Sequence, residues 1–171
     1  MKTLVLGIGN PILTDDAVGL RIAKLVKERL GPCRADVMGV SVSGLELLDR
    51  MVGYDRVIIV DAIQTSGGRA GQVYRFELDD LKLASDVSHM HGINLKAAFQ
   101  LGALLKLDVP KVVTVFAVEA ADVTSFSEVC TPEVERVIPD VAAMVLLELG
   151  ESAGVQRWQR HGPLQADRAS V

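Results

Sequence analysis

The sequence is poor in aromatic residues, which make up only 4% of its 171 positions. Because 49% of the residues are nevertheless hydrophobic, a disordered chain is excluded, and the core must be built from aliphatic side chains. The length is sufficient for one domain with a sizeable buried core.

Cysteine is scarce as well. Cys33 and Cys130 lack a C-x-x-C partner, which argues against a structural zinc site. Two isolated cysteines in a chain of this length are typical of reduced thiols, so we expect a cytoplasmic protein. The N-terminal MKTLVLGIGN segment has one lysine and no small-residue cleavage site, which predicts a buried strand rather than a signal peptide.

Long apolar runs and an excess of basic residues are also absent. No apolar stretch approaches the roughly 20 residues that a membrane-spanning helix needs. The net charge is −4 and the isoelectric point is about 5.4, whereas nucleic-acid-binding domains carry a basic surface. We therefore expect neither a membrane nor a nucleic acid as a partner.

Apolar periodicity predicts that strands and helices alternate along the chain. Strands are expected over residues 3–8, 35–42, 56–63, 72–78 and 111–118. Helices are expected over residues 16–30, 43–52 and 92–107, and from residue 132 to about residue 149, with Pro139 as a candidate kink.

This order predicts right-handed crossovers and a mostly parallel sheet covered on both faces. Thr14 or Asp15 is the expected cap of the first helix. Residues 79–90 are expected to be irregular. Residues 1–150 are expected to form a single α/β domain, and residues 151–171 a flexible polar tail.

In an open α/β sheet, ligands bind outside the carboxyl ends of the strands. The polar residues at these predicted ends are Asn10, Thr14, Asp15, Asp16, Asp61, His89, His91, Glu119 and Asp122. The motif argues against a dinucleotide site, because Ile12 stands where the third glycine of G-x-G-x-x-G is required. A serine or cysteine nucleophile is equally unsupported, because no G-x-S-x-G motif occurs and neither cysteine ends a strand.

Three of these residues could bind a metal ion. Asp16, Asp61 and His91 lie at three strand–helix junctions, and two carboxylates with one imidazole suit zinc or nickel. A structural interpretation also stays open, in which Asp16 complements a helix dipole and His91 bonds to the backbone. Asp61 fits that interpretation less well, because a carboxylate ending a buried strand is costly unless it is paired or ligating.

Four segments together resemble the nickel–iron hydrogenase maturation proteases. They are LVLGIGNPILTDDAVG at 4–19, IIVDAI at 58–63, HGINL at 91–95 and VEAADVTSFSEVCTPEV at 118–134. The resemblance extends from residue 3 to about residue 148. It implies a three-layer, doubly wound α/β fold with a mostly parallel, five-stranded twisted sheet.

The resemblance also implies a function. Such a protease removes the C-terminal extension of a hydrogenase large-subunit precursor that already carries its nickel. By matching motifs, Asp16, Asp61 and His91 are the metal-binding and catalytic residues, whereas Asp15 and His89 are not. No cofactor is then permanently bound, since the substrate supplies the nickel, although zinc or cadmium could occupy the same site.

The chain departs from the family pattern in two respects. Glu119 is not followed by the proline that often occurs there. Where family members carry Asp-Gly-Gly-Thr at the end of the second strand, this sequence reads Gly-Val-Ser-Val at 39–42. The missing acidic residue leaves open a non-catalytic nickel-binding chaperone on the same fold. An unrelated small metallohydrolase with its own zinc is the other alternative.

Overall fold

A computed structural model of the protein describes residues 1–31, 35–42, 45–77, 87–89 and 95–150. The strands within these ranges are β1 (Thr3–Ile8), β2 (Asp36–Val40), β3 (Arg56–Thr65), β4 (Val73–Glu77), β5 (Val87–His89) and β6 (Val112–Glu119). The helices are α1 (Val18–Arg29), α2 (Leu45–Met51), α3 (Leu95–Leu104) and α4 (Pro132–Glu148). A short 3₁₀ helix, Thr14–Ala17, leads into α1.

Five strands form the central sheet in the order β2-β1-β3-β6-β4. The β1–β2, β1–β3 and β3–β6 pairs are parallel, and β4 runs antiparallel to β6. β5 pairs antiparallel with the end of β3, where Gln64 lies opposite His89. The predicted α/β fold with a mostly parallel five-stranded sheet is confirmed.

Helices cover both faces of the sheet, because the side chains of buried strands alternate between two apolar layers. One layer packs strand residues such as Ile58 against α1 and α4, which contribute Ile22 and Val141. The other packs Ile59 with Leu47 of α2 and other apolar residues. Burying one such aliphatic side chain stabilises the fold by about 1.5–3 kcal/mol.

Two local predictions are wrong. Thr14 and Asp15 do not cap the first helix. The N-cap residues are Leu13 for the 3₁₀ helix and Ala17 for α1, and these two residues make no side-chain cap bond. The stretch 79–90 is not irregular throughout, since residues 87–89 form β5.

Some sequence predictions fall on residues that the structure does not describe. The expected tail, residues 151–171, lies outside the described ranges. Within those ranges, no helix is both long and apolar enough to cross a bilayer.

Candidate active site

Asp16 lies at the carboxyl end of β1, inside the 3₁₀ helix that leads into α1. Asp16 is only 1% exposed. The backbone N–H of Asn10 donates to its Oδ2 at 2.9 Å, so the loop after β1 folds back over the carboxylate. A buried carboxylate needs such partners, because desolvation disfavours its charge.

Close backbone packing brings this turn against β1 and β3. A Cβ on Gly19 of α1 would overlap the carbonyl oxygens of Ile8 and Val60, and a Cβ on Gly9 would overlap that of Asp16. Only glycine allows the backbones to approach so closely. The glycines of the first motif therefore press the turn carrying Asp16 onto the ends of both strands.

Asp61 follows Val60 in β3 and is fully buried. The backbone N–H of Ala62 donates to its Oδ1 at 2.8 Å. Since strand side chains alternate, Asp61 shares a face with Ile59 and Ile63, which is the face that α2 and α3 cover. The prediction that Asp61 ends its strand at a strand–helix junction is wrong, because β3 continues for four more residues to Thr65. Asp61 instead follows Val60, the last β3 residue paired with β1, so both predicted carboxylates lie buried near the carboxyl end of β1.

The third predicted residue, His91, lies outside the described residues. It precedes the start of α3, Leu95, by four positions in the sequence. Among the side chains that the structure does describe, no three His, Cys, Asp or Glu residues form a group able to hold a metal ion. The predicted three-residue ligand set therefore stays a prediction.

Asp15 has a role that the sequence did not reveal. It is fully buried, and its carboxylate accepts the backbone N–H groups of Ala121, Asp122 and Thr131 at 2.9, 3.1 and 2.7 Å. The hydroxyl of Thr131 bonds to the same carboxylate. Asp15 thereby fixes the loop between β6 and α4 beside the turn that carries Asp16.

Glu119 is a further buried carboxylate, only 3% exposed. The backbone N–H and the hydroxyl of Thr65 donate to its two oxygens at 2.7 and 2.9 Å. Gly68 lies directly against this carboxylate, where a Cβ would collide with it. Burial, together with the neighbouring Glu119, raises the pKa of Tyr74. These contacts hold the ends of β3 and β6 together.

The described cysteine carries no nucleophilic chemistry. Cys130 is buried, and its thiol lies 3.4 Å from the carbonyl oxygen of Thr14. Burial raises the pKa of this thiol, so it stays protonated at neutral pH. The sequence-based exclusion of a cysteine nucleophile agrees with this environment.

Known proteins resemble this chain over most of its length. The profile of the hydrogenase maturation protease family matches residues 7–148. The hydrogenase 2 maturation protease of Escherichia coli strain K12 is 32% identical over 155 residues, covering 89% of this chain and 93% of that protein. The hydrogenase expression/formation protein HupD of Thiocapsa roseopersicina is 26% identical over 91% of this chain and 71% of its own length.

Solved structures agree with the sequence matches. The hydrogenase maturating endopeptidase HybD from Escherichia coli has a TM-score of 0.76 and 29% identity, covering 89% of this chain and 94% of that one. The [NiFe] hydrogenase maturation protease HybD from Thermococcus kodakarensis, at 21% identity, shares the fold with a TM-score of 0.69 over 87% of this chain and 99% of its own. The chain therefore belongs to the hydrogenase maturation protease family and is a hydrogenase maturation endopeptidase.

Proposed function

We propose that this endopeptidase removes the C-terminal extension of a nickel-loaded hydrogenase large-subunit precursor and recognises the substrate's nickel through Asp16, Asp61 and His91. The observation that carries the proposal is the burial of two carboxylates, 1% and 0% exposed, near the carboxyl end of β1. Family membership gives the reaction class. We assign recognition of the nickel ion to these residues.

The electrostatics of these carboxylates favour a cation that arrives with the substrate. Anionic carboxylates removed from water are costly, and a positive charge placed beside them offsets that cost. Carboxylate oxygens and an imidazole nitrogen are ligands that suit nickel and zinc alike. Three protein ligands would leave coordination positions open for the groups through which the precursor already holds its metal.

The proposed reaction is the hydrolysis of one peptide bond. Water attacks the scissile carbonyl carbon, the C–N bond breaks, and a proton passes to the leaving amine. The substrate's nickel can polarise the carbonyl or acidify the attacking water. The roles left for Asp16, Asp61 and His91 are to orient the metal and to accept or deliver the proton.

Gly39 marks the second-strand departure from the family pattern. This residue lies in β2, in register with Gly7 of β1, and it is exposed. The family pattern places an acidic residue there. Since this chain has no side chain at that position, we assign the proton transfer to Asp16, Asp61 and His91.

A cytoplasmic location belongs to the same proposal. The described cysteine, Cys130, is a free thiol, which agrees with a reducing compartment.

Cleavage of a nickel-loaded precursor by purified variants tests the proposal. Asp16→Asn, Asp61→Asn and His91→Ala should each lower the cleavage rate by about a hundredfold or more. Asp49→Asn, an exposed aspartate on α2, and His89→Ala are the matched controls and should cleave at the wild-type rate. Melting temperatures separate lost chemistry from lost folding.

Three results would count against it. Full activity in Asp16→Asn and Asp61→Asn would remove these carboxylates from the site. Loss of activity in His89→Ala but not His91→Ala would overturn the motif alignment. Wild-type protein that binds the nickel-loaded precursor without cutting it would support the chaperone instead.

A further inference from the structure

The loop between β6 and α4, residues 120–131, is held rigidly against the turn after β1. Asp15 accepts three of its backbone N–H groups, and the hydroxyl of Thr14 donates to the carbonyl of Ser125 at 2.6 Å. Within the loop, the Oδ1 of Asp122 accepts the N–H groups of Thr124 and Ser125, both at 2.9 Å. These bonds give the loop one defined shape.

This rigid loop presents apolar side chains to solvent. Phe126 is 80% exposed and Val129 is 62% exposed. Ile12, on the turn after β1, is 49% exposed. The two segments are joined by an antiparallel bridge between Leu13 and Phe126, and the N–H of Ser127 donates to the carbonyl of Ile12 at 3.0 Å.

A groove of about 450 Å³ continues from this patch along α1. Ile12 and Leu20 contribute apolar surface to its lining, and Lys24 and Glu128 contribute one charge of each sign. Arg21 also borders the groove, but its guanidinium pairs with the carboxylate of Glu135. The formal charges around the groove therefore balance, and apolar contact is left as its main means of binding.

The patch is continuous with the proposed site. Asn10 bonds to the carboxylate of Asp16 through its N–H, and its side-chain oxygen accepts the N–H of Ile12 at 3.2 Å. A protease must bring a polypeptide to its site, and Asn10 links Ile12 directly to Asp16. Rigidly displayed apolar groups next to a site are typical of protein-binding surfaces, because little ordering is needed on association.

We propose that Ile12, Phe126 and Val129, with the adjoining groove, form a docking surface for an apolar segment of the precursor polypeptide outside the scissile bond. This inference rests on the proposed function, since it takes the precursor as the occupant. The surface acts on substrate affinity and leaves the chemical step to the buried carboxylates.

Steady-state cleavage of the nickel-loaded precursor by Phe126→Ser tests this docking surface. KM should rise about tenfold with kcat unchanged, as expected when an anchoring aromatic side chain is removed. Val129→Ser should raise KM in the same direction. Because the groove's charges balance, the effect should persist at high ionic strength.

Leu104→Ser is the matched control. Leu104 is 78% exposed and is the last residue of α3. The chain leads from there to the first residue of β6, so Leu104 lies toward the amino end of that strand and not its carboxyl end. Its KM should equal that of the wild type.

Each other outcome has a distinct meaning. An unchanged KM in Phe126→Ser and Val129→Ser, with active wild type, would overturn the docking surface and leave the proposed function standing. An equal rise in KM for Leu104→Ser would overturn it too. Wild-type dimers that Phe126→Ser converts to monomers without changing KM would assign the patch to a second copy of the chain. Wild-type protein that cleaves no nickel-loaded precursor would refute the proposed function itself.

Discussion

The carboxylate of Asp15 accepts the backbone N–H of Thr131 at 2.7 Å, although 116 positions separate the two residues in the chain. Asp15 lies just before α1, and Thr131 is the N-cap residue of α4. This bond and its neighbours join the two helices that cover one face of the sheet, directly beside Asp16.

Replacing Asp15 by Ala should lower the free energy of unfolding by about 2–3 kcal/mol, because three backbone N–H groups lose their acceptor in a largely buried setting. Asp15→Asn, which keeps one oxygen acceptor, should cost less. Urea denaturation measures both. Asp140→Asn, at an exposed position of α4, is the control, and equal stability of Asp15→Ala and this control would contradict the role assigned to Asp15.

Gly19→Ala should destabilise the fold by about 3 kcal/mol or more, because its methyl group would overlap backbone carbonyls of β1 and β3 that cannot move aside. Gly31→Ala is the matched control, since a Cβ there has no neighbour within 4 Å. Its unfolding free energy should change by less than about 1 kcal/mol. A soluble Gly19→Ala protein with wild-type stability would show that α1 does not press on the sheet at this point.

Tyr54 should make stability fall at high pH. Burial and, secondarily, the hydrogen bond from its hydroxyl to Asp36 at 2.7 Å raise the pKa of Tyr54 from 10.0 to about 12. The folded state therefore holds the proton more tightly than the unfolded state. The stability gained is complete below pH 10 and is lost as the pH rises to about 12.

Ultraviolet titration of tyrosinate in Tyr74→Phe isolates this group, because the chain has only two tyrosines. The folded protein should titrate near pH 12, and the same protein in denaturant should titrate near pH 10. A single midpoint near 10 in both states would contradict the environment described for Tyr54.

The central sheet could be predicted from the sequence, because its buried strands consist mainly of apolar residues and are bounded by glycine or polar residues. β1 was predicted with the bounds that the structure shows, residues 3–8. β5 could not be predicted, since three residues carry no periodicity and form a strand only by pairing with the end of β3. The same pairing explains why β3 reaches Thr65, two residues beyond its predicted end.

The site was predictable in part for a similar reason. Asp16 was expected at a carboxyl end because it follows a recognisable strand. Asp61 was expected to end its strand, but β3 continues to Thr65 through its pairing with β5. The partners of Asp15 lie more than 100 positions away, so a local pattern could suggest only a helix cap. Asp15 makes tertiary hydrogen bonds and no helix-cap bond, because several backbone N–H donors surround its buried carboxylate.

The dependence of cleavage on the substrate's own nickel is the most direct test of the proposed function. The measurement compares nickel-loaded with nickel-free precursor, using enzyme whose metal content has been determined. We predict that the purified enzyme is metal-free, that it binds added divalent ions weakly, and that it cleaves only the nickel-loaded precursor. Tightly held, stoichiometric zinc in the enzyme, with cleavage of nickel-free precursor that chelation abolishes, would contradict this and indicate a conventional metalloprotease.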